Sequence, residues 1–118
     1  MAIGPGGLSS EVLGFASDAW VLIVNCDDLG MDDVVNVGVV ESIERGIASS
    51  CSLMAPCPAA PSAMKLLRDR PWIPFGIHLT LVREVDSFRW EPMSDSAKVP
   101  TLVTGDGMLF LETHVSAS

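Results

Sequence analysis

Tyrosine is absent from this chain of 118 residues, Lys and Arg together number only 7, and there are just 2 histidines and 3 cysteines. Each shortage removes a class of protein. Asp and Glu, 15 in all, outweigh the bases to give a formal charge of −8, and no basic cluster exists to displace counterions from phosphate, so nucleic acid is excluded as a partner. Cys26, Cys51 and Cys57 are odd in number and lack CxxC spacing, which argues against a disulfide framework or a thiolate zinc knuckle and for a reducing compartment. The longest uninterrupted apolar run, Ala19 to Val24, falls far short of the ~20 residues that span a bilayer. No Lys/Arg start of a signal peptide precedes it. These absences predict a soluble, cytoplasmic protein without a membrane partner. What is present is apolar: 48% of residues are hydrophobic and only 19% charged, too apolar for a disordered polyampholyte and sufficient for the core of one domain.

Residues 1–18 contain four glycines and a proline and read as a loose lead-in, in which only Ser10 to Phe15 can form a helical turn. Trp20 to Asn25 (WVLIVN) is apolar without alternation, which predicts a strand buried on both faces. Val34 to Arg45 then places Val35, Val39, Val40 and Ile43, with Ile47 beyond, at helical spacing. Asp32 or Asp33 is its candidate N-cap and Gly46 its C′ residue. Ser49 to Met54 is a second short strand, and Ala60 to Arg70 a second helix with Met64, Leu66 and Leu67 on its stripe, stopped by Pro71. Phe75 to Leu81 (FGIHLTL) is a third strand, after which the pattern dissolves into a polar stretch with Pro92, Pro100 and the turn Thr104-Gly105-Asp106-Gly107. The order β-α-β-α-β, with connections short enough for right-handed parallel crossovers, predicts α/β architecture.

In parallel α/β folds chemistry gathers at the carboxyl ends of the strands. Asp27 and Asp28 follow the first apolar run, and burying both uncompensated would be costly. Neighbours on a strand point to opposite faces, so the pair divides naturally: one carboxylate ligates a cation and the other takes a proton from water, provided that the backbone turns near Leu29-Gly30. The alternative is that both merely cap the following helix. His78, inside the third strand, is either a satisfied core histidine or a ligand; with Asp28 at the end of a neighbouring strand it would supply two-thirds of a common three-ligand metal site. No third ligand is evident, and His114 reads as a solvated tail residue. Cys26 could act as a nucleophile with His78 as base, but adjacent carboxylates oppose thiolate formation, so it reads as a small buried residue, as do Cys51 and Cys57. Phe88-Arg89-Trp90 either anchors its loop or offers an aromatic face and a cation to a sugar ring.

LIVNCDDLGM (22–31), VNVGVVESIERGIASSCSLMAPCP (35–58) and FGIHLTL (75–81) resemble the YdjC-like carbohydrate deacetylases, the family that includes chito-oligosaccharide deacetylase. REVDSFRW (83–90) is similar to a SEWDxYRW segment in one branch, matching at Glu84, Asp86, Arg89 and Trp90. The resemblance covers about residues 11–110. It implies an irregular TIM-like (β/α) barrel, incomplete in this chain, with a divalent metal ion, magnesium or zinc, at the strand ends. It assigns Asp27 as general base and Asp28 and His78 as metal ligands, while Arg89 and Trp90 are the substrate-binding candidates from the residues themselves. Residues 19–118 would be the N-terminal part of such a domain. Cys26 stands where the family usually has alanine. Family members are about twice as long, near the ~250 residues of a closed barrel, and their later histidine-rich motif, which supplies another ligand and the acid, is absent here.

The expected function is therefore metal-dependent removal of acetyl groups from N-acetylated sugars or oligosaccharides, with Asp27 accepting the proton of a water that the metal activates. The alternative is a catalytically silent fragment serving as a sugar-binding or assembly unit. Three βα units leave one side of their sheet open, so weak stability, a homo-oligomer or a complementing C-terminal chain is expected.

Overall fold

A computed structural model describes residues 9–111. Three short strands, β1 (Asn25–Leu29), β2 (Ser50–Leu53) and β3 (Phe75–Ile77), form one parallel sheet in the order β1-β2-β3. The helices α2 (Asp33–Glu44) and α3 (Ala60–Arg68) make the two crossovers, a single turn α1 (Ser9–Val12) precedes them, and a 3₁₀ turn at Ser96–Lys98 follows.

The local reasons lie in single residues. Asp32 is the N-cap of α2: its backbone is extended and its carboxylate accepts the Val34 amide at 2.8 Å, covering one of the helix's orphan donors. Beyond the other end of α2, a Cβ on Gly46 would lie 2.6 Å from the Ser42 carbonyl oxygen, so only glycine fits as the chain turns back. Pro61 sits in the first turn of α3, where its missing N–H costs nothing.

Alternation along β1 and β2 separates two faces. Cys26, Cys51, Leu53 and Leu29 turn toward α2 and α3, forming a cluster with Val39, Ala60, Ala63, Leu67 and Ile73. The opposite face is polar: Ser50 and Ser52 of β2 hydrogen-bond to Asn25 and Asp27 of β1.

Two strand expectations need correction. The run from Trp20 to Asn25 is not a doubly buried strand: Trp20 is 102% exposed and Leu22 81%, and β1 starts only at Asn25. The third strand does not reach Leu81. It stops at Ile77, and after His78 has donated its amide to the Leu53 carbonyl at 2.9 Å the chain leaves the ladder. Leu79 and Leu81 are also exposed. In both cases the apolar residues mark surface that needs a cover, and among the described residues nothing covers it. The helix stripe holds for Val35, Val39, Val40 and Ile43, whereas Ile47, past the helix end, is exposed.

The polar stretch after β3 builds a second cluster. Trp90 and Leu109 pack with Met31, Met54 and Cys57 from the strand ends, and Phe88, Leu102 and Val103 lie against them. The buried Arg83 ties this layer together, its Nε donating to the Leu109 carbonyl at 2.8 Å and a terminal nitrogen reaching the Phe88 carbonyl at 3.4 Å. No helix of the described residues is long and apolar enough to cross a membrane.

Candidate metal centre

The two aspartates part company at a bulge. Cys26 pairs with Cys51 and Leu29 with Leu53, so β1 spends one more residue than β2 between those pairs. Asp28 takes up the difference with φ of 66°, the left-handed region that Asp tolerates better than most residues. The chain then turns through Gly30 at φ 98°. The turn that frees Asp28 from its neighbour thus begins at Asp28 itself, one residue before the Leu29-Gly30 pair.

Asn36 secures this turn. It is 1% exposed; its Oδ1 accepts the Gly30 amide at 2.6 Å, and its Nδ2 donates to the Ala59 carbonyl and the Ser62 hydroxyl, each at 3.1 Å. One side chain from α2 therefore holds the strand-end turn against the start of α3. Its signal in the sequence is an amide flanked by Val35 and Val37 within an apolar helix.

Asp28, His78 and Glu84 converge. One ligand-capable atom from each lies within 4.8 Å of the others. His78 Nδ1 stands 3.3 Å from Asp28 Oδ1, yet both atoms are buried and neither makes a hydrogen bond. Buried polar atoms ordinarily have partners, and two lone-pair donors facing a common point suit a cation better than each other. The orphaned atoms and the donor set of one imidazole and two carboxylates fit a divalent ion.

The local field agrees. Burial, then the charges of Asp28 and of Glu84, push the Cys57 thiol up to about 12. Burial and these two carboxylates keep the Cys57 proton on, and the charge around it is negative. Burial, with Cys26 nearby, also raises Cys51. His78 Nδ1 faces Asp28, so the pairing of Cys26 with a histidine base finds no support in this geometry.

Asp27 keeps to the polar face. Its Oδ1 accepts from Asn25 Nδ2 at 2.8 Å and from the Ser52 hydroxyl, which leaves Oδ2 outside both bonds. Arg89 is half-exposed and paired with Asp106, whose carboxyl is held below its usual range by the Thr104 hydroxyl and then by Arg89. Trp90 is 2% exposed and anchors its loop. Both residues nevertheless line a hollow of about 430 Å³ with Glu91 and Met108. A second hollow of about 250 Å³, flanked by His78 and Thr80, shares Ala55, Pro56, Pro92 and Met93 with the first. His114 lies outside the described residues. Glu84, not singled out as a ligand in the sequence, lies in the REVDSFRW segment, where only the family resemblance marked it.

Comparison with known proteins shows the family. Residues 21–117 match the family model described as YdjC-like protein. The chain is 39% identical over 85 residues to a carbohydrate deacetylase of Geobacillus stearothermophilus, an alignment covering 72% of this chain and 31% of that protein. It is 43% identical over 86 residues to a carbohydrate deacetylase of Thermoanaerobacter pseudethanolicus, covering 73% and 32%. A solved structure from Enterococcus faecalis, described as a cellobiose-phosphate cleavage protein, superposes with a TM-score of 0.69 at 29% identity, over 77% of this chain and 34% of that one. An α/β fold with three parallel strands, a strand-end cluster of donors and this match across most of its length define the class: the chain belongs to the YdjC-like family. Its alignments with the two deacetylases span about a third of their length.

Proposed function

We propose that this chain carries the metal-holding and water-activating part of a carbohydrate deacetylase acting on N-acetylated sugars or oligosaccharides, within a (β/α) barrel whose remaining units lie outside it. The observation that carries the reading is the buried, unbonded pair Asp28 Oδ1 and His78 Nδ1, 3.3 Å apart. The names of its relatives supply the substrate class. Asp28 and His78, with Glu84 as third donor, would hold a divalent ion, magnesium or zinc. Such an ion, when bound, polarises an acyl carbonyl and makes a neighbouring water more acidic. Asp27, oriented through Oδ1 by Asn25 and Ser52, would accept a proton from a nearby water at Oδ2. Arg89 borders the hollow where a sugar would rest, and Trp90 fixes its wall.

Calorimetric titration with Mg²⁺ or Zn²⁺ tests the site. Asp28→Asn and His78→Ala are expected to weaken binding by more than the ~10–100-fold typical of groups that only support a ligand, with Asp27→Asn close to the parent. Acetate release from an N-acetylated oligosaccharide, measured on the chain extended to the length of its relatives, is expected to fall ~10²–10⁴-fold in Asp27→Asn. Loss of metal in Asp27→Asn with retention in Asp28→Asn reverses the two roles. Full activity in both variants reduces the carboxylates to structural groups.

The bare apolar flanks of the sheet favour one second reading, an assembly unit without turnover of its own. In that case an extended chain releases no acetate, while the isolated chain still binds a complementing C-terminal chain or a second copy.

A further inference from the structure

We infer that Cys26 and Cys51 form a cross-strand dithiol that closes to an intramolecular disulfide under mild oxidation, making the β1–β2 pair beneath the aspartates a site of redox modification.

The two residues are direct register partners on adjacent parallel strands. Paired parallel strands lie ~4.8 Å apart, inside the ~4.4–6.8 Å between Cα atoms that a disulfide spans. Partners in register also point to the same face, and both cysteines pack in the cluster beneath α2 and α3. The Cys51 thiol donates to the Pro74 carbonyl at 3.9 Å, on the β3 side of the sheet, so closing the bridge requires its side chain to turn toward β1.

Access is unequal in a useful way. Cys51 is 2% exposed, whereas Cys26 is half-buried and open to a small oxidant. A bridge between directly opposed residues requires the two Cβ atoms to draw closer than regular pairing sets them. The backbone can give here, because Cys26–Cys51 is the last regular pair before the bulge and the residues ahead of β1 are exposed. Cys57 is the third free thiol and belongs to the other cluster.

The chemistry balances with a peroxide as oxidant. Peroxide transfers one oxygen to the Cys26 thiol, giving a sulfenic acid and water. The Cys51 sulfur then attacks the Cys26 sulfur, an S–S bond forms, the S–O bond breaks, and a second water departs with the Cys51 proton. Two thiols are oxidised and one peroxide is reduced.

The test uses the whole chain treated with hydrogen peroxide, thiol blocking, and cyanogen bromide cleavage under non-reducing conditions. Cleavage after Met31, Met54 and Met64 separates the three cysteines into different fragments. The expected result is loss of two hydrogens from the intact chain, a linked pair of the fragments holding Cys26 and Cys51, and a blocked Cys57. Cys26→Ala is expected to abolish the link and Cys57→Ala to preserve it. A link to Cys57, Cys26 found as sulfinic acid beside a reduced Cys51, or Cys26-linked dimers in place of the internal bridge would overturn the inference.

Discussion

Two hydrophobic clusters among the described residues are built on different principles. The first joins β1, β2, α2 and α3 around Leu29, Leu53 and Leu67, and its members recur at strand and helix spacing. The second gathers Met31, Met54 and Cys57 from strand ends with Trp90 and Leu109 from a loop layer whose described residues form two isolated bridges and one 3₁₀ turn. Backbone hydrogen bonds hold the first in register, whereas a buried guanidinium, Arg83, braces the second. The candidate metal centre lies at the seam: Asp28 and His78 come from the ends of the sheet and Glu84 from the loop layer. A site assembled this way borrows rigidity from one side and closure from the other.

If the sheet cluster is the folding unit and the loop layer an attachment, equal truncations must have unequal reach. Leu29→Ala is expected to cost ~2–5 kcal/mol and to lower hydrogen-exchange protection everywhere. Leu109→Ala, at a site just as buried, is expected to speed exchange in residues 83–111 while β1 and β2 keep their protection. Equal loss of protection in the sheet would mean one core rather than two.

Arg83 sharpens the comparison further. Arg83→Met leaves the Leu109 and Phe88 carbonyls without this donor, at ~1–3 kcal/mol for each group that stays buried and unsatisfied. The same change loosens the segment that carries Glu84. Divalent-ion affinity is therefore expected to fall, but by less than in Asp28→Asn, and calorimetry on the two variants separates the contributions. Unchanged affinity in Arg83→Met would detach Glu84 from the site.

The smallest effect is pH-dependent and is read at Cys57, where strand ends and loop layer meet. Folding raises this thiol to about 12, against ~8.5 in an unfolded chain. The folded state holds the proton more tightly, so the corresponding stability is whole below pH ~8.5 and is lost progressively as pH rises toward the folded value. Denaturant melts at several alkaline pH values are expected to show this decline in the parent and a shallower one in Cys57→Ala. Identical slopes would mean that neither burial nor the charges of Asp28 and Glu84 raise Cys57.

Much of the first cluster was legible in the chain. The α2 stripe, the Asp32 cap and the strand at 50–53 follow from periodicity and local chemistry, which act over a few residues, whereas α3 ends at Arg68, short of the expected Arg70, and leaves Met64 of its expected stripe exposed. The apolar runs at 20–25 and 75–81 misled, because hydrophobicity records a need for cover without naming the cover. Asp28 and His78 stood out as polar residues at strand ends, whereas Glu84 looked like one more exposed acid in a polar loop.

Sequence by itself therefore determined the β-α-β-α-β order, the acidic and apolar balance, and the position of Asp28 and His78 at strand ends, since each depends on neighbours within a turn or a strand. Only the tertiary structure decided that a bulge at Asp28 swings its carboxylate away from Asp27, that Asn36 pins that turn to α3, and that Arg83 folds a polar loop so that Glu84 joins His78. Those three outcomes rest on contacts between residues far apart in the chain, whose energy exists only once the separate elements have met.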